Sequence, residues 1–220
     1  ALGLRSVLDT LVRDDGLGFA QAPEDVGWED WIAYEGSKRT KYVVLSFFNL
    51  HTVVFNTPPL IMNSEITMEL PCTESEWKAP TAAAWSQSRN PKPQPSFAEA
   101  YKALFSGASG DSSSPVLAFS TMGGYVLINA MIQHIWLMQQ HSRWHGEGKG
   151  LLQPHDINVI ECALRSWQSG WEENPESSVQ PLSPNGPLSS NSIALLRLAY
   201  VRMNMDTGPV RNLISFDPPK

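Results

Sequence analysis

Cysteine is scarce in this sequence: 220 residues hold only Cys72 and Cys162. Two distant thiols exclude a disulfide framework and a four-cysteine zinc site, and they fit a reducing compartment. Charge is sparse too, at 17% of residues, and 16 Lys and Arg against 22 Asp and Glu leave a net charge of −6. A module that grips duplex DNA by its phosphates is normally basic, so the composition disfavours a bare duplex binder. No Asn-x-Ser/Thr acceptor with a permitted middle residue occurs. No apolar run approaches the ~18 to 20 residues of a membrane helix, and the opening segment does not read as a signal peptide. Phosphate loops, dinucleotide fingerprints, G-x-S-x-G elbows and H-E-x-x-H pairs are all missing. His145-Gly146-Glu147 matches the first half of a nucleobase-deaminase signature, but no P-C-x-x-C follows. These absences predict a soluble intracellular domain that is not an enzyme and has no membrane partner. The chain opens on Ala1 rather than Met, which reads as an excised fragment of a longer protein.

What is present is an apolar fraction of 42%, enough to bury a core. Leu4, Val7, Leu8, Leu11 and Val12 recur at helical spacing until Asp14-Asp15-Gly16 stops them. A long helix is predicted from Trp28 to Phe55, half-exposed at first and then buried nearly all round, and Pro58-Pro59 ends it. Ser64 and Glu65 start a short turn, and Leu70-Pro71-Cys72 is extended. Glu74 to Lys78 and Thr81 to Gln87 are short helices, the second capped by Thr81. After a linker from Asn90 to Pro95, Ser96 and Glu99 form a capping box for a helix through Phe105. Gly107 to Pro115 is a Gly/Ser loop. The most apolar stretch, Val116 to Gln140, reads as a central buried helix interrupted by Gly123-Gly124, helical at least from Tyr125. A helix from Pro154 to Trp171 follows, then a Pro/Ser-rich surface loop over residues 174–190, then a last helix from Ser192 to Met205. Period-two alternation is rare. The predicted class is all-α: an irregular multi-helix domain with long loops.

Three sets of side chains invite a functional reading. His134, His141 and His145 lie within about 40° of one another at ~100° per residue. On a straight helix only His141 and His145 can share an ion, and the plainer reading is the polar end of a buried helix. The eight tryptophans are spread through the chain and read first as core anchors, although interleaved tryptophans and cations can also stack on single-stranded nucleic acid. Glu35, Lys38 and Arg39 sit at i, i+3 and i+4. They form either an exposed helix pair or a buried strut in which the Arg39 fork holds a carboxylate or loop carbonyls.

Taken together, Trp28-x-x-Trp31-x-x-x-Glu35-x-x-Lys38-Arg39-Thr40 ahead of an aromatic helix, Asn56-Thr57-Pro58-Pro59, Glu65-Ile66, Glu69-Leu70-Pro71-Cys72 and Glu76-Trp77-Lys78-Ala79 form a recognisable series. The series resembles the regulatory (middle homology) domain of fungal-specific transcription factors, also called the xylanolytic-activator regulatory domain. Ile128 to Leu137, Trp167 to Pro175 and Asn191 to Arg202 extend the similarity, so that it runs from about Leu4 to Arg211. The motif positions it singles out are Trp28, Trp31, Glu35, Arg39, Pro58, Pro59, Leu70, Pro71, Trp77 and Trp85. The family often has a second arginine where this chain has Lys38; lysine loses the bidentate fork, which argues against a buried role there.

The resemblance implies the regulatory domain of a nuclear transcription factor acting on RNA polymerase II genes. DNA would be contacted only through a zinc-bearing module missing from these residues. That module would be a pair of two-cysteine, two-histidine fingers, which the later pieces favour, or a binuclear six-cysteine cluster. No cofactor is expected in this chain; its partners would be proteins of the transcription machinery or a second copy of itself. Two other classes stay open. One is a small-molecule effector sensor with a pocket between the Tyr125 to Leu137 and Phe47 to Val54 segments. The other is a metal-dependent enzyme using His141 and His145 with a nearby carboxylate.

Overall fold

The computed structural model describes residues 2–17, 26–90, 94–106, 117–145, 150–184 and 187–205. Eight α-helices are found among them: α1 Leu2–Asp14, α2 Trp28–Phe55, α3 Glu74–Trp77, α4 Ala82–Ser88, α5 Phe97–Ser106, α6 Thr121–His145, α7 Pro154–Glu173 and α8 Pro187–Asn204. No strand occurs among the described residues; Glu69 and Ser96 form an isolated bridge. The fold is all-α. The predicted Gly107 to Pro115 loop lies outside the described residues.

The sequence pattern explains the arrangement. A helix that is apolar on every side must be surrounded, and α6 is packed by α8, α2, α7 and α5. Leu127, Ile128, Met131 and Ile135 are fully enclosed. Several of its buried polar side chains find partners, as burial favours, while Asn129 Oδ1 and Gln140 Nε2 are buried without a hydrogen bond. Gln133 Nε2 donates to Asn49 Oδ1 at 2.8 Å and to the Ile61 carbonyl at 2.9 Å, while its Oε1 accepts from the Asn63 N–H at 2.8 Å. Gln139 Nε2 donates to the Arg202 carbonyl at 2.6 Å, fixing the end of α8. The 3₁₀ turn Asn63–Glu65 and the extended chain after it lie on this core through Ile61, Ile66, Met68 and Leu70.

Three expectations need correction. First, Gly123-Gly124 does not interrupt α6, which already begins at Thr121. A Cβ at Gly124 would come 2.7 Å from the Phe119 ring, and one at Gly170 of α7 would meet the same ring at 2.7 Å. Glycine is therefore needed where α6 and α7 close over Phe119, and tertiary packing overrides its poor helix propensity. Second, α8 starts at Pro187 rather than Ser192, so residues 187–190 are helical. Proline suits the first turn, where its missing N–H has no partner to lose. Third, the charge and apolar faces of α2 are distributed differently from expectation. Its first half buries Glu35, Lys38 and Arg39, whereas Val43, Phe47 and Val54 in its second half stay exposed. Helix α2 ends at Phe55, with Asn56 in the left-handed region at φ 50° and its Oδ1 accepting from Trp136 Nε1 at 2.7 Å.

Candidate functional site: a buried charge cluster walled by tryptophans

Two turns of α2 place Glu35, Lys38 and Arg39 side by side, facing the chain from Pro71 to Lys78. Glu35 is 1% exposed. Its Oε2 meets Lys38 Nζ at 2.7 Å, while Oε1 accepts from Arg39 Nε at 3.1 Å and from the Cys72 N–H at 3.0 Å. Arg39 turns its fork onto the loop. Nη1 donates to Glu74 Oε1 at 2.9 Å and Nη2 to the Cys72 carbonyl at 3.0 Å. Of the two readings of this triplet, the structure shows the buried strut.

The expectation that lysine keeps position 38 out of the interior is overturned. Lys38 is 6% exposed, and its single ammonium suffices because Glu35 presents it one oxygen while the other serves Arg39. The stem passes the Tyr34 ring, with Nζ 5.2 Å from its centroid.

Aromatic rings cover the cluster. Arg39 stacks on Trp77 at 4.7 Å, and Trp31 packs against Trp77 at 6.4 Å and Trp85 at 5.2 Å. Trp85 and Trp31 are buried; Trp28 and Trp77 are half-buried and lean on the same group. Arg89 lies over the outer face of Trp85 at 5.0 Å. Such a wall keeps water out and strengthens the ion pairs behind it.

The other motif positions hold the loop. Leu70 is fully buried, and its N–H donates to the Pro95 carbonyl at 2.9 Å. The Pro71 carbonyl accepts from Ser120 Oγ at 2.6 Å, just before α6. Pro58 is exposed and Pro59 half-buried beyond the end of α2, outside the cluster.

Two participants were missed in the sequence. Glu74 closes the ion-pair chain, with Lys78 Nζ 3.5 Å from its second oxygen. Glu176 Oε1 accepts the Glu74 N–H at 2.9 Å, and Thr121 Oγ1 donates to Glu176 Oε2 at 3.2 Å. A carboxylate at the start of a predicted helical turn was the available hint for Glu74. Glu176 carried no signal, since it lies 102 residues away from its partner.

The electrostatics favour structure over chemistry. Burial disfavours the Arg39 charge, but the Glu74 and Glu35 carboxylates beside it hold the guanidinium charged. Burial, then Glu35, pushes the Cys72 thiol well up, so it stays protonated and is a poor nucleophile. Burial and the neighbouring Glu35 also raise Glu76 above the ordinary carboxylate range. Of the histidines, His141 is exposed, and the His145 side chain lies outside the described residues. His134 packs at 5.2 Å from the Phe105 ring, and burial lowers its pKa. Among the described residues no three or more His, Cys, Asp or Glu side chains gather as a metal site would need.

This is the site of an all-helical domain whose charged residues clamp a loop to a helix. The profile of the fungal specific transcription factor domain matches residues 8–169, and the chain belongs to that family. It is a regulatory domain of a transcription factor. Among curated proteins it is similar to zinc finger protein klf1 of Schizosaccharomyces pombe, 30% identical over 70 residues, 32% of this chain and 9% of that protein. It is also similar to zinc finger protein zas1 of the same yeast, 27% identical over 94 residues, 42% of this chain and 10% of that protein. The matched stretches span about a tenth of either relative's length. No solved structure matches. No helix among the described residues is long and apolar enough to cross a membrane.

Proposed function

We propose that this chain is the regulatory part of a nuclear zinc-finger transcription factor of RNA polymerase II genes, in which a separate zinc-bearing module reads DNA. The family match over residues 8–169 carries the reading. The names of the two yeast relatives favour zinc fingers as the DNA-reading module, and the net charge of −6 suits a domain that leaves phosphate contacts to another part. Regulation then works through packing: the Glu35–Arg39–Glu74 clamp fixes the loop surface that partners of the transcription machinery would meet. Fusing the chain to an unrelated DNA-binding module in a fungal reporter strain tests this. The fusion should change reporter output several-fold, and Arg39→Met should abolish the change. A fusion indistinguishable from the DNA-binding module alone would overturn the reading.

A cleft of about 320 Å³ favours effector sensing as a second reading, since it is just large enough for a small ligand. Phe119 and Leu117 supply apolar walls, and Ser75, Asn90, Asn174 and Glu176 converge as polar groups. It lies beside the clamp, whereas the sequence pointed to the space between the Tyr125 to Leu137 and Phe47 to Val54 segments, which Gln133 joins through its bond to Asn49 at 2.8 Å. A ligand there would raise the melting temperature, and Asn174→Ala would remove the rise.

A further inference from the structure

The loop after α7 ends in Pro181-Leu182-Ser183-Pro184, a stretch that does not line the cleft. Pro181, Leu182 and Pro184 are exposed, Leu182 to 97%, and Val179 just before them is exposed too. Residues 179–184 therefore bury no large apolar side chain. Few bonds hold this tip. The Ser183 N–H donates to the Gln180 carbonyl at 3.1 Å, the Gln180 N–H to Ser178 Oγ at 3.1 Å, and Lys78 Nζ to the Pro184 carbonyl at 3.1 Å. The Ser183 hydroxyl is covered yet makes no hydrogen bond, which weakens the closed turn. A tip with so few contacts opens readily.

The prolines suit the opened tip to one kind of enzyme. A protein kinase takes the segment around its target hydroxyl in an extended form. Pro184 biases Ser183 toward the extended region and Pro181 fixes its own φ, so the segment loses little entropy on entering such a groove. Pro184 also lacks an N–H, which matches a groove that offers no acceptor at the position after the serine. Thr57-Pro58 and Ser114-Pro115 are the other such pairs, but only Ser183 has a second proline two residues before it. Thr57 lies two residues past α2, with Oγ1 3.5 Å from His51 Nδ1. Ser114 lies outside the described residues.

A phosphate on Ser183 would act next to the clamp. Lys78 Nζ, at the carbonyl of the following residue, is also 3.5 Å from Glu74 Oε2, and Glu74 Oε1 holds Arg39 Nη1 at 2.9 Å. The same loop carries Glu176, which accepts the Glu74 N–H. Phosphoserine brings about −1.5 to −2 charges and three acceptor oxygens. It cannot return to the covered position of the hydroxyl, because a desolvated charge there is too costly. The half-exposed Lys78 side chain is within its reach.

We propose that Ser183 is a phosphorylation site of a proline-directed protein kinase, and that the phosphoserine stays outside the closed turn and pairs with Lys78, drawing it off Glu74. The γ-phosphoryl group of a nucleoside triphosphate passes to Ser183 Oγ. Its bond to the bridging oxygen breaks, the nucleoside diphosphate leaves, and the hydroxyl proton goes to the base of the kinase. The inference goes beyond the regulatory reading and is measured on the chain itself without a reporter, so either can fail alone.

The whole 220-residue chain is incubated with ATP, magnesium and, in separate reactions, a cyclin-dependent and a mitogen-activated protein kinase. Intact mass and fragment spectra read the product. The expected result is a phosphate on Ser183 from at least one of the two kinases, absent in Ser183→Ala and reduced at least about tenfold in Pro184→Ala. Phosphorus NMR then titrates the phosphoserine. A neighbouring ammonium favours the dianion, so the second phosphate pKa should be lower in the parent than in Lys78→Met. The Glu74 and Glu176 carboxylates are common to both chains, so the difference reports Lys78. If Lys78→Met loses helical circular dichroism, Lys78→Gln replaces it. Transfer by neither kinase, or phosphate on Thr57 or Ser114 with none on Ser183, would overturn the site. A phosphate pKa that is the same with and without Lys78 would overturn the pairing.

Discussion

Arg39 does the work of several side chains, holding two carboxylates, one carbonyl and the face of a tryptophan. Removing it leaves two buried carboxylates with fewer cations: Glu35 keeps Lys38, and Glu74 keeps only the half-exposed Lys78 at 3.5 Å. Arg39→Met is therefore expected to cost about 3 to 5 kcal/mol in urea unfolding, because an uncompensated buried charge is the expensive product. Adding Glu35→Gln should recover part of that loss, so that the double variant is destabilised by clearly less than the sum of the singles. Strict additivity would show that the two residues do not act as a pair. Glu76 gives the opposite lesson. Burial, chiefly, raises its pKa, so the folded state binds this proton more tightly than the unfolded chain. The sign follows: its contribution is most favourable below the ordinary carboxylate pKa and is lost as pH rises through the raised value. Glu76→Gln should accordingly raise the urea midpoint relative to the parent at pH 7, and the gain should shrink toward pH 4. A gain that is the same at both pH values would remove Glu76 from the pH dependence.

Among the elements, the helices bear out the use of period and punctuation. The extent of α2 was legible because apolar residues continue to Phe55 and Pro58-Pro59 cannot extend them; the α5 capping box was legible in Ser96 and Glu99, whose paired bonds are present at 3.2 and 2.9 Å. The faces of α2 were not. A triplet of charges reads as solvated until the loop that covers it is known, and apolar residues such as Val43 and Phe47 read as core until they are found exposed. The glycines of α6 and α7 show the same limit. Gly170→Ala should gain helix propensity of up to ~1 kcal/mol, yet its Cβ would meet the Leu117 carbonyl and the Phe119 ring. The expected net result is a destabilisation of about 1 to 3 kcal/mol by chemical denaturation, the usual size of an overpacking penalty. A more stable variant would show that Phe119 moves aside easily.

For the molecule as a whole, the proposed division of labour, in which a separate module reads DNA, makes a prediction about these residues. The 16 basic side chains are dispersed, and those of the one cluster are engaged: Lys38 and Arg39 by Glu35, Lys41 by Asp15 at 2.7 Å. A gel-shift titration of the chain at about physiological salt should show at most weak, sequence-independent binding, in or above the ~10⁻⁴ to 10⁻⁶ M range. Submicromolar, sequence-dependent binding would refute the division. The sequence by itself determined the helical class, most helix ends and the family, because period, caps and breakers are local properties and short motifs survive in order along a chain. Only the tertiary structure decided that Lys38 is buried, that Glu74 and Glu176 complete the clamp, and that Val43, Phe47 and Val54 of α2 stay exposed. Those outcomes depend on which distant segment lies over a given turn. Glu176 reaches the start of α3 only because α7 brings the chain back past Thr121. A side chain's burial and ionisation are set by that neighbour, which no window of sequence around the residue contains.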